Sequence, residues 1–151
     1  MSRPGLMALA LEEARAAAAR GETPVGAVLS DPATGRVLAR DGNRVRELSD
    51  PTAHAEILVI RAACAALGSE RLPGLDLHVT LEPCPICAAA IGAARIARLY
   101  YGASDPKSGG VEQGPRVFSH PQCHHRPDIY SGIAETESAT LLRAFFAARR
   151  G

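Results

Sequence analysis

Apolar residues recur at helical spacing in the first twenty positions. Leu6, Leu9, Ala10 and Ala17, with Glu12, Glu13 and Arg15 between them, predict an amphipathic helix that Gly21 stops. The period then changes. Residues 25–29 form a short apolar run that predicts a buried strand. Asp31-Pro32-Ala33-Thr34-Gly35 reads as a turn, and residues 36–39 as a returning strand. Thr52 is placed as the N-cap of a helix over residues 53–67, which Gly68 ends. Residues 75–81 alternate as a strand does. Pro83 and Pro85 start a further helix that the alanine-rich stretch carries to about Ala97. Residues 99–103 predict another strand, and residues 104–127, rich in Gly, Pro and Ser, a functional loop region rather than a linker. A last helix over residues 135–150 is expected to bury Leu141, Leu142, Phe145 and Phe146. Strands alternating with helices predict a layered α/β fold, read as one domain over residues 1–151 without internal repeats.

Composition narrows the function classes. The formal net charge of +1 gives no global field for a nucleic acid, so such a partner has to be held by a local patch. Lys107 is the only lysine. Tryptophan is absent and other aromatics are few, which argues against a broad stacking platform for single strands. No apolar run approaches the roughly 20 residues that span a bilayer. The charges among the first twenty residues argue against a signal peptide, so a soluble cytoplasmic protein is expected. In that compartment the four cysteines read as metal ligands or free thiols before disulfides.

Two motifs carry the chemistry: His54-Ala55-Glu56 at the start of one predicted helix, and Pro83-Cys84-Pro85-Ile86-Cys87 at the start of the next. Cysteines three apart on a helix share a face, with Cβ atoms about 5–6 Å apart, close enough for two thiolates to meet one tetrahedral zinc. A helix N-terminus favours the thiolate. His54 supplies a third ligand, and three protein ligands leave the open position that marks a catalytic zinc. Cys64 lies ten residues beyond His54 on the same predicted helix, about 15 Å away, and is read as core. Glu56 is the candidate proton shuttle. A lone Cys-x-x-Cys would be as compatible with a structural or redox role; its pairing with His-x-Glu is the specific signal.

At these motifs the chain resembles the cytidine-deaminase-like superfamily and, more narrowly, the bacterial tRNA-specific adenosine deaminases. The resemblance runs through Gly21-Glu22-Thr23-Pro24-Val25-Gly26-Ala27-Val28, Asn43-Arg44, and Asp50-Pro51-Thr52-Ala53-His54-Ala55-Glu56-Ile57. It continues through Val79-Thr80-Leu81-Glu82-Pro83-Cys84, Arg95-Ile96 and Gly102-Ala103-Ser104-Asp105-Pro106-Lys107 to Phe145-Phe146 ahead of Arg149-Arg150. It implies a three-layer α/β/α fold with a central mixed sheet of about five strands, one zinc per subunit held by His54, Cys84 and Cys87, and a homodimer. It implies that zinc-bound hydroxide attacks C6 of an adenosine at the wobble position of an arginine tRNA anticodon, giving inosine, with Glu56 moving the protons. Asn43 is then expected to contact the base, Val28 to line its pocket, and Ala55 to stand among the substrate-binding positions. Asp105 and Lys107 are expected to touch the anticodon-loop backbone, Arg149 and Arg150 to add phosphate contacts, and His125 to order a loop bordering the pocket.

Two rivals share part of this pattern. A deaminase of free bases or nucleosides would use the same zinc residues. A non-catalytic zinc module would not require Glu56. A second metal among His120, Cys123, His124 and His125 is a further possibility, set against loop histidines that serve as hydrogen-bonding structure.

Overall fold

The computed structural model describes residues 5–150, with the side chain of Arg150 outside the described set. Helix α1 covers Leu6–Ala19, followed by β1 at Gly26–Asp31 and β2 at Arg36–Gly42. A one-turn helix α2, Val45–Leu48, precedes α3 at Ala55–Leu67, β3 at Asp76–Leu81 and α4 at Pro85–Ala93. Strand β4 spans Arg98–Ala103, β5 Asp128–Tyr130 and α5 Glu135–Arg150. The sheet order is β2-β1-β3-β4-β5. The pairs β1–β2 and β1–β3 are antiparallel, and β3–β4 and β4–β5 are parallel, so the expected five-stranded mixed sheet is present.

Alternation along the strands sorts residues onto two faces. Ala27 and Leu29 of β1, Leu77 and Val79 of β3, and Leu99 and Tyr101 of β4 join Ala55, Val59, Ala88 and Ile91 in the larger core, beneath α3 and α4. Val28 points the other way and packs with Met7, Ala10 and Leu11 of α1. Helix α1 can lie this close because β1 offers Gly26, where an added Cβ would sit 1.9 Å from the Ala10 carbonyl oxygen. Helix α5 packs on β3 and β4 beside α1, its Ser138 hydroxyl donating to the Thr80 carbonyl. Three layers result.

Three expectations need correction. Helix α3 starts at Ala55, because Asp50 holds Thr52 instead of Thr52 capping a helix: its Oδ1 accepts from both the Thr52 amide and hydroxyl, at 2.9 and 2.7 Å. That turn leaves His54 extended as the N-cap residue. Helix α4 stops at Ala93, not near Ala97. Arg95 turns the chain with φ +61°, which delivers Ile96 into the core completely buried; tertiary packing overrides the helix preference of the alanines. On α5, Phe146 is 47 % exposed, and Leu141, Leu142 and Phe145 are only half-buried. The periodicity was that of a helix on the rim, not one sealed into the core.

On the α1 face, His78 stacks on Tyr100 at 4.3 Å and Tyr100 on Tyr130 at 4.8 Å between ring centroids. The Nδ1 atom of His78 is buried and has no hydrogen-bond partner among the described residues, and burial pulls the imidazole pKa down to about 4. Between that value and the ordinary one near 6.5 the unfolded chain binds a proton that the folded chain refuses. The contribution of His78 to stability is therefore expected to fall as pH drops from 7 to 5. Urea unfolding of the unsubstituted protein and of His78→Phe at both pH values isolates it: relative to the unsubstituted protein, the variant should gain stability at pH 5 over pH 7.

Candidate active site

The ends of two helices build the site. His54 precedes α3 and Cys84 precedes α4, both in extended conformation, so their side chains project from helix N-termini towards each other. Cys87 sits in the first turn of α4 and is fully buried. The His54 Nδ1 lies 3.3 Å from the Cys87 sulfur and 3.5 Å from the Cys84 sulfur. All three donor atoms fall within 4.8 Å of one another. One imidazole nitrogen and two sulfurs at that separation fit a single tetrahedral zinc with one corner left for solvent or substrate. Among the described residues no other His, Cys, Asp or Glu group converges in this way.

The protonation pattern suits a cation. The Cys84 thiol is pulled down to about 4, first by its hydrogen bond with Cys87 and then by His54, even though burial opposes this. Cys87 is pushed up by the same shared hydrogen bond and by burial. His54 is held above its usual value, chiefly by its contact with the Cys84 sulfur. A thiolate and a thiol sharing one proton beside an imidazole form a donor set that a divalent ion completes by displacing that proton.

Glu56, two residues beyond His54, is 4 % exposed, and burial pushes its carboxyl pKa up to about 7. A group poised near neutrality is suited to both taking and giving a proton. It lines a cavity of about 470 Å³ together with Asn43, His54 and Cys84. That volume lies in the range that holds small ligands.

Asn43 has two tasks available to it. Its Oδ1 accepts from the Ala55 amide at 2.8 Å, satisfying a donor that the start of α3 would otherwise leave free. Among the described residues no hydrogen bond engages its Nδ2, which is left as a donor on a residue that lines the cavity. Ala55 itself is completely buried, with its side chain in the core and its amide engaged by Asn43. Val28 does not line the cavity. It faces α1 on the opposite side of the sheet, and Val25, three residues earlier, takes the wall position. Asp105 lines the cavity, whereas Lys107 lines an adjoining groove of about 650 Å³. Arg149 borders both, donates to the Gly21 carbonyl at 2.8 Å and rests 4.3 Å from the Phe145 ring centre.

His125 lies elsewhere. Its Nε2 meets the Ile96 carbonyl oxygen at 2.7 Å, tying its loop to the chain just beyond α4 and away from the cavity. His120 is engaged with the Pro115 carbonyl at 2.6 Å, and the Cys123 thiol with the His125 carbonyl at 3.1 Å. These partners explain the loop as structure. Cys64 is half-buried against the core and has no part in the donor set.

Sequence reasoning passed over two buried carboxylates on the cavity wall, Glu22 and Glu82, each 2 % exposed. Glu22 accepts from the amides of Arg46 and Glu47 at 3.1 and 2.8 Å and so anchors α2. Burial alone would raise Glu82, but backbone amides from Asp105, Gln113, Glu112 and Val111 outweigh it and hold the carboxyl below its usual value. A glutamate directly after a strand and before Pro-Cys was the available signal.

Fold and donor set together define a zinc-dependent hydrolytic deaminase. The chain belongs to the family described as the cytidine and deoxycytidylate deaminase zinc-binding region, which matches residues 2–103. It is 66 % identical to a tRNA-specific adenosine deaminase of Agrobacterium fabrum, over 98 % of this chain and 96 % of that protein. A solved structure concerned with A-to-I editing by tRNA:A34 deaminases at the wobble position of transfer RNA superposes with a TM-score of 0.89 at 67 % identity, covering 93 % of this chain and 100 % of the other. A guanine deaminase from Bacillus subtilis shares the fold at a TM-score of 0.66 and 29 % identity, covering 100 % of this chain and 96 % of its own.

Proposed function

We propose that this chain, acting as one deaminase domain, converts adenosine to inosine at the wobble position of an arginine tRNA anticodon in the cytoplasm. The observation that carries this reading is the continuity of the catalytic cavity with a cationic groove. The two share Thr23, Leu81, Asp105, Ser108, Phe146 and Arg149, and the outer groove adds Lys107 and Arg143. A free base would fill the inner cavity and have no use for the outer one. A polynucleotide would seat its flipped base inside and its flanking phosphates along the cations. Identity to the Agrobacterium enzyme over nearly the whole chain supports the same choice.

Bound zinc would be held by His54, Cys84 and Cys87 and would supply a Lewis acid that makes water nucleophilic near neutral pH. Glu56 moves the protons. Its carboxylate takes one from the attacking water and passes it to a ring nitrogen as the C6–O bond forms. It then takes the proton of the new C6 hydroxyl and delivers it to the exocyclic amine, which leaves as ammonia as the C6–N bond breaks and the C6–O double bond forms. The Asn43 Nδ2 is the donor left to orient the base, and Val25 supplies an apolar wall. Phe145 and Phe146 at the rim help exclude water.

A homodimer belongs to the same reading. Helix α4 turns Ile86, 52 % exposed, outward together with Ala89 and Ala93, an apolar stripe at helical spacing. No helix among the described residues is long and apolar enough to cross a membrane.

The test offers the zinc-loaded protein an arginine-tRNA anticodon stem-loop with adenine at the wobble position, beside a panel of free purines and pyrimidines. Inosine in the RNA and no turnover of the panel is the expected result. Deamination of guanine or cytosine alone would transfer the site to the free-base class. In the same system, Lys107→Ala and Arg143→Ala should each weaken RNA binding and reduce the slope of log affinity against log salt by about 1. An unchanged slope would remove those cations from the interface.

A further inference from the structure

We infer that Glu82 is a positioning residue: its buried carboxylate clamps the loop over residues 104–113 against the cavity and so holds the substrate wall in place. This rests on the deaminase reading of the same site.

Glu82 lies one residue past the end of β3, and its side chain is almost wholly inside the protein. Its Oε1 accepts from the Asp105 amide at 2.9 Å and the Ser104 hydroxyl at 3.2 Å. Its Oε2 accepts from three successive amides, Val111 at 3.1 Å, Glu112 at 2.8 Å and Gln113 at 2.9 Å. Three consecutive N–H groups converging on one oxygen form a concave anion nest, and here the protein fills it with its own carboxylate. One side chain thus pins both ends of the loop.

The loop follows the carboxylate closely. A Cβ added at Gly109 would lie 2.6 Å from the Glu82 Cδ and 2.6 Å from the Asp105 carbonyl oxygen, and one at Gly110 would lie 2.6 Å from the Pro85 nitrogen. No side chain fits between loop and clamp. Glu112 adds a second tie through its carboxylate to the buried Tyr101 hydroxyl. What the clamp holds is functional surface: Asp105 and Ser108 line the inner cavity, and Lys107, two residues beyond Asp105, lines the outer groove.

Chemistry explains the choice of glutamate. Every group facing its two oxygens is a donor, so both oxygens have to accept. A glutamine places an NH2 group against either the Asp105 pair or the three amides, and no rotation of the amide satisfies both. An aspartate is too short to reach both ends.

Glu82→Gln is the direct test, measured on zinc-loaded protein with the anticodon stem-loop and by amide hydrogen exchange. Zinc content should stay at one per chain and kcat within about threefold, while KM rises about tenfold or more, the pattern of lost binding rather than lost chemistry. The amides of residues 111–113 should lose exchange protection. Gly109→Ala reaches the clamp from the other side, leaves Glu82 in place and should reproduce both changes. Loss of zinc, or a fall in kcat at constant KM, would overturn the assignment by placing Glu82 with the metal or the chemistry. So would full retention of amide protection in both variants. If the unsubstituted protein proves silent on the stem-loop, the substrate reading fails, yet exchange at 111–113 still decides the clamp.

Discussion

Glu56→Gln is expected to lower turnover by about three orders of magnitude while zinc content stays at one per chain. The amide has nearly the shape of the carboxyl and introduces no new charge into a site where the residue is 4 % exposed, so the fold has little reason to change. What it lacks is the ability to take a proton and return it. Burial has already brought the carboxyl pKa to about 7, where both directions of transfer are accessible near neutral pH. Activity is to be read as inosine formed in the stem-loop, with zinc measured on the same sample. Full activity in this variant would turn the site into a zinc module in which Glu56 is an ordinary buried acid.

Removal of the metal should have the second largest effect. Cys84→Ala leaves two of the three donors, His54 and Cys87, which cannot hold zinc against a competing chelator. Deamination should disappear, and stripping zinc from the unsubstituted protein should do the same until the metal is returned. Stability should move as well, because an ion that binds only the folded chain stabilises it by mass action. At a zinc concentration a thousandfold above the dissociation constant this is about 4 kcal/mol, which lowers the melting temperature of the stripped protein by on the order of 10 °C. Equal melting curves with and without the metal would separate the cysteine pair from any zinc.

The donor set and the first four strands of the sheet were legible in the sequence because local spacing determines both. A Cys-x-x-Cys at a helix start and a His-x-Glu at another need only their own turns to be formed, and the strands show in runs of alternating or apolar residues. Long-range choices were less visible. Val28 was expected at the pocket, but the side of the sheet it occupies depends on which helix covers which face, and α1 covers its face. Helix α4 ends early because Ile96 is needed in the core, a demand that alanine propensity does not carry. His125 belongs to a loop whose path is set by a bond to the distant Ile96 carbonyl. Strand β5 escaped notice because three exposed residues have no pattern of their own, only a parallel partner in β4. Glu82 was hidden for a similar reason: its five partners lie 22 to 31 residues away, at positions that become neighbours only after folding.

X-ray absorption at the zinc edge of the purified protein tests the core of this description most directly. Two sulfurs at about 2.3 Å with one imidazole nitrogen and one further light atom at about 2.0–2.1 Å is the predicted shell, the light atom being exchangeable solvent. A third sulfur, a second imidazole, or the absence of bound zinc would contradict it.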